Sequence, residues 1–209
     1  MVDLQKKGKK MKQKNIYRAI TGLTLSALLL TPLGVFAASD SKNTTINANL
    51  GSTISLTTLG SVTLNVTPVA GGSQTSSSDT VSVSTNNSSG YDLTLADSDA
   101  NNNLVNGGSN IAAHAGTRTT PSVLANNRWG YRVDNIGGFG TGGAAQSNVT
   151  SSSITYAGVP ISGSPDNIRS TTATASGEAT TVWYAVKADT TNPNGTYADT
   201  VTYTATTKI

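Results

Sequence analysis

Asp97-Ser98-Asp99-Ala100-Asn101 places side-chain oxygens at alternate positions, the arrangement with which a calcium-binding loop begins. Calcium takes roughly six to eight oxygen ligands and tolerates irregular geometry, so a polar loop can hold it. The pattern then departs from an EF-hand loop: its sixth position is Asn102 where that loop has Gly, and its twelfth is Gly108 in place of a bidentate Glu. Two carboxylates and an amide predict weak binding, about 10⁻⁴–10⁻³ M as in extracellular modules. Calcium at about 1 mM is then expected to move the melting temperature little. Asp97, Asp99 and Asn101 are the metal candidates, and no other cofactor is expected.

Other reactive constellations are sparse. There is one histidine, His114, and no cysteine, so the usual zinc clusters have no ligand set. His114 lies among alanines with no partner group beside it, which suits a structural role better than a catalytic base. Glu178 is the only glutamate, and no GxSxG nucleophile elbow occurs. The chain is not expected to be an enzyme. Trp129, Trp183 and the tyrosines could form an aromatic platform for sugars, but most alternate with polar residues beside apolar partners, as core residues of strands do. Trp183 differs, because Ala185 and Lys187 share its face. Trp183 and Lys187 are therefore the candidates for a binding interface. Lys187 could also serve an isopeptide cross-link assisted by Glu178, although a lone strand lysine is usually just solvated.

These residues sit in short runs that alternate with period two between Gly, Asn, Asp and Ser clusters, the pattern of half-buried strands. The clearest are Val62–Val66, Val81–Val83, Tyr91–Leu95, Trp129–Val133, Val182–Val186 and Val201–Ala205. Weaker runs lie at Thr44–Leu50, Ile54–Thr58, Ile111–His114, Val159–Ser162 and Ile168–Thr174. Asn87-Ser88-Ser89-Gly90 is a turn with a Gly for positive φ, and Asn192-Pro193-Asn194-Gly195 is a type I turn expected to join the last two strands as a hairpin. Ser73–Ser78, Asp97–Asn110 and Gly137–Gly143 read as loops. Many short strands without helices predict an all-β fold, an Ig-like antiparallel β-sandwich of about 8–10 strands, with a closed barrel as the alternative.

The N-terminus sets the cellular context. Six lysines from Lys6 to Lys14 and Arg18 precede an apolar run, Ala19–Leu30, then Thr31, Pro32 and Gly34, then Val35-Phe36-Ala37. This is the layout of a secretory signal peptide, with Met11 as the expected natural start and cleavage between Ala37 and Ala38. Residues 1–37 are thus the leader and 38–209 one domain. The formal charge of +3 resides in that leader: residues 38–209 hold seven Lys/Arg against ten Asp/Glu. A mildly acidic body has no electrostatic footprint for nucleic acid. Contact with a membrane is expected only through an uncleaved leader. The chain contains 33 Thr and 25 Ser, which suits solvent-facing strands better than disorder. The expected location is secreted, either extracellular or bound to the cell surface.

Asn127–Val133, Tyr156–Pro160, Val182–Ala188 and Gly195–Thr206, together with Val81–Leu95 upstream, resemble secreted β-sandwich surface proteins of Patescibacteria such as Saccharibacteria, over nearly all of residues 38–209. More distantly, the Trp-bearing strand, proline turn, Gly195-Thr196-Tyr197 and Thr-rich final strand are similar to WxL cell-wall-binding domains, here with Tyr131 and Ala185 at the Leu position. The strand Tyr197–Thr206 also looks like that of spore coat protein U type pilins. These likenesses imply an exported structural or adhesion module. Alternatives are a glycan or cell-wall binding module and a pilin-like subunit assembling through strand edges. Expected partners are cell-wall glycan or other surface proteins.

Overall fold

A computed structural model describes residues 38–209, so the proposed leader up to Ala37 lies outside the described residues. The chain divides into two units, Met1–Asn47 and Ala48–Ile209. Of the first, residues 38–47 are exposed and carry no strand. The second is all-β, with twelve strands and no helix among the described residues.

The strands are β1 (Ile54–Thr57), β2 (Ser73–Thr85), β3 (Tyr91–Asp97), β4 (Leu104–Asn106), β5 (Ser109–Ala113), β6 (Ser122–Val123), β7 (Arg128–Arg132), β8 (Gln146–Val149), β9 (Thr155–Tyr156), β10 (Asp166–Ser170), β11 (Ala175–Ala188) and β12 (Val201–Thr207). A seven-stranded sheet runs β1-β2-β11-β7-β5-β4, with β8 also on β2. All its pairs are antiparallel except β5 with β7. A three-stranded antiparallel sheet runs β10-β3-β12, and β6 pairs with β9.

The two larger sheets share one core. The alternating residues Val81, Val83, Leu93, Leu95, Trp129, Tyr131, Val182 and Val186 are all buried in it. Burying each large side chain contributes about 1.5–3 kcal/mol, which must hold the fold because no disulfide can. Gly90 takes φ +83° at the turn from β2 to β3, as its position in the turn demands.

Several expectations are corrected by the pairing. Ser73–Ser78 is not a loop but the first half of β2, with Ser73, Gln74, Thr75 and Ser76 buried. Their polar groups are satisfied locally: Thr75 Oγ1 donates to Asn65 O (2.9 Å), Ser76 Oγ to Ala144 O (2.8 Å), and Gln74 Nε2 to Gln146 Oε1 (2.5 Å). Val62, Leu64 and Val66 pack half-buried against the core as their alternation requires, yet their segment joins no ladder. β8 occupies the adjoining edge of β2, and Asn148 Oδ1 of β8 takes the Thr67 N–H (2.6 Å). Within Asp97–Asn110 lies a strand, β4, turning at Gly107-Gly108 into β5. In Gly137–Gly143, Phe139 is buried, edge-on to Tyr131 (5.6 Å between centroids) and under the Arg132 guanidinium (5.9 Å). Val159–Ser162 and Thr44–Leu50 carry no strand.

The Asn192–Gly195 turn does not make a hairpin. β11 lies in the seven-stranded sheet, while β12 pairs with β3 in the other. The expected facing residues nevertheless meet across the core: Tyr184 and Tyr203 hydroxyls are hydrogen-bonded at 2.7 Å. Burial, followed by the neighbouring ring for Tyr203, pushes both phenols above their ordinary range. Tyr203→Ala should cost about 2–4 kcal/mol in a urea titration, below a fully buried ring because Tyr203 is half-buried. Thr202→Ala, on the exposed face, should cost less than about 0.5 kcal/mol, and equal costs would disprove this assignment of faces.

Candidate functional site

Trp183 lies half-buried on β11, opposite Arg132 of β7 on one side and Ser78 of β2 on the other. It forms one wall of an open cleft of about 370 Å³, with Asp134, Ile136, Arg169 and Thr181 among the other lining residues. The cleft exists because β7 ends at Arg132 and the chain folds back over the sheet through Gly143. That glycine lies so close to the indole that a β-carbon would meet it at 2.5 Å.

The cleft's charges are organised. Asp134 binds the buried Arg132, with Nε to Oδ1 at 2.8 Å, and also accepts the Gly143 N–H at 3.0 Å. Arg169 pairs with Glu178, and Glu178 Oε2 accepts the Tyr91 hydroxyl at 3.1 Å. Burial, then that hydrogen bond, raises the Tyr91 phenol above its ordinary range. Arg169 Nε and the Thr180 hydroxyl are buried at this cleft without a hydrogen-bond partner. An indole beside a carboxylate and a guanidinium, each already held in an ion pair, is suited to a polar ring that offers hydrogen bonds.

Lys187 lies four residues farther along the same face and does not line this cleft. It also sits nine residues from Glu178 on one strand, about 30 Å apart at strand rise, so the assisted isopeptide cross-link is ruled out for this pair. His114 is buried, with Nε2 at 2.8 Å from Ser122 Oγ, and burial lowers its pKa. No acidic group is bonded to it, which suits a structural role. Trp129 is also structural: its indole N–H donates to Asn102 O at 2.9 Å, and its ring stacks on Tyr184.

The acidic loop follows the end of β3. Asp97 is buried, whereas Asp99 and Asn101 are exposed. Asp97 Oδ1 accepts the Asp99 N–H (2.8 Å), and Asp99 Oδ1 accepts the Asn101 N–H (2.6 Å). The residue that sequence reasoning missed is Asp199. In the β3–β12 register Asp97 faces Val201, which puts Asp199 diagonally across from it. Burial, then the hydrogen-bonding contact with Asp97, raises the Asp199 carboxyl to about 7. Among the described residues, no three His, Cys, Asp or Glu side chains converge closely enough to hold a metal ion unaided. No local sequence signal links positions 97 and 199, because only the sheet register joins them. Asp134 and Arg169 were likewise invisible as a pair, since they come from different elements.

No family model, curated protein or solved structure matches the chain.

Proposed function

We propose that this chain is an exported, non-enzymatic module of the cell surface or extracellular space, built as an Ig-like β-sandwich that serves a structural or adhesive role. One observation carries this reading: a basic and apolar leader stands ahead of a cysteine-free β body whose exposed strand positions are largely Ser and Thr. Such a body is held by packing and ladders alone and presents an uncharged polar surface.

A glycan-binding role is the second reading, and the Trp183 cleft favours it. A pilin-like role has the exposed alternation of Ile46, Ala48 and Leu50 in its favour, since such a stripe suits strand addition.

One fractionation experiment tests all three. Tagged full-length protein, expressed with its leader, should appear in the medium or wall fraction with a new N-terminus at or near Ala38. Intact leader in the membrane fraction, or retention in the cytoplasm, would reject the first reading. Wall-bound protein that Trp183→Ala releases would establish glycan binding. Ladders of oligomers lost on Ile46→Asp would establish strand exchange.

A further inference from the structure

Two carboxylates, Asp97 and Asp199, meet where β3 ends and β12 begins, with the exposed Asp99 nearby, and one oxygen of each finds no protein donor. Asp97 is only 1% exposed. Its Oδ1 is held by the Asp99 N–H at 2.8 Å, and Asp199 Oδ1 is held by the Thr200 N–H at 2.7 Å. The second oxygen of each, Asp97 Oδ2 and Asp199 Oδ2, is buried without a hydrogen-bond partner. The two carboxylates contact each other, and Asp99 adds its charge to the field at Asp199. None of the three pairs with a lysine or arginine among the described residues. Buried like charges in contact are costly unless a proton or a cation lies between them.

We infer that Asp97 and Asp199 bind a calcium ion that ties the end of β3 to the start of β12. The two facing carboxylates supply the anionic centre, and water with main-chain oxygens of the loop completes the shell. Calcium accepts that mixture, whereas magnesium demands a closer and more regular octahedron. The surroundings are already braced for it. Asp97 N donates to Pro160 O (2.7 Å), Ser98 N to Thr200 O (2.9 Å), and Ser162 N to Asp99 O (2.9 Å), which fixes the loop on three sides. The expectation of a negligible calcium response rested on Asp97, Asp99 and Asn101 alone. Asp199 supplies a carboxylate in contact with Asp97, and the pairing of β3 with β12 holds it in place before any ion arrives.

The test is thermal unfolding of the full chain after removal of metals with EDTA. Calcium chloride at about 5 mM should raise the melting temperature by about 5 °C, and EDTA should reverse the rise. Asp97→Asn and Asp199→Asn should each abolish the response while keeping the β-sheet circular dichroism spectrum. Asp92→Asn, which alters a β3 carboxylate that faces Lys208 instead, should keep it. A response that survives Asp199→Asn would overturn the site, and an equal response to magnesium would overturn calcium as its ligand. A melting temperature that ignores calcium but falls as pH rises through about 7 would show that the pair shares a proton, which also overturns the proposal.

Discussion

Replacing Asp134 by alanine should destabilise the fold by about 3–5 kcal/mol, because it strands a buried guanidinium. Arg132 is 2% exposed, and its Nη2 lies 2.7 Å from Asp134 Oδ1. Its other hydrogen bonds, to Thr155 O and Gly140 O, are both 3.3 Å and neutral. The loss should fall at the lower end of that range, since a third of the Asp134 side chain is exposed and water can reach the vacated position. Arg132→Met combined with Asp134→Ala should recover most of the loss, because the charge and the cost of its burial disappear together. Urea unfolding of wild type, both single variants and the double variant measures the coupling. A fully additive result would show that the pair does not act as a unit.

Gly130→Ala should cost more than about 3 kcal/mol or prevent folding, an extreme case of overpacking. A β-carbon there would stand 2.2 Å from the Ala157 carbonyl oxygen. That oxygen cannot retreat, because it accepts the Tyr131 N–H at 2.8 Å while Ala157 N donates to Tyr131 O at 2.9 Å. Gly158 sits in the same crowded place, with its β-carbon position 2.1 Å from His114 O, so Gly158→Ala should behave alike. Gly163→Ala is the control: nothing lies within 4 Å, and the change should be within about 0.5 kcal/mol. Circular dichroism and urea midpoints read the comparison. Stable, native-like Gly130→Ala would mean that the 157–158 segment does not hold this close approach.

Alternation made most of the core legible. Val81, Leu93, Tyr131, Val182 and Val186 are buried as period two demands, because a strand must turn every second side chain to the same face. The absence of cysteine and the abundance of Thr likewise pointed to an all-β body held by packing. Two segments departed from that signal. The first half of β2 is Ser-rich and buried on both faces, so no apolar contrast marks it; its hydroxyls are matched by carbonyls that only the folded chain brings near. The segment around Val62–Val66 has the contrast but joins no ladder, and β8 occupies the adjoining edge of β2.

The residue types themselves determined which side chains could carry a site: Asp97, Asp99 and Asn101 by their spacing, and Trp183 by its odd face. Tertiary structure alone decided their company. Asp199 comes from 102 residues away to meet Asp97, and Asp134 and Arg169 come from separate elements to face Trp183. Alternation is a local property and survives any arrangement of strands, but strand order and register depend on which edges find each other. The last turn illustrates the difference. The hydrogen-bonded turn after β11 falls at Asp189–Asn192 and not at Asn192–Gly195, and β12 leaves β11 and pairs with β3, a placement in which Tyr203 meets Tyr184 across the core.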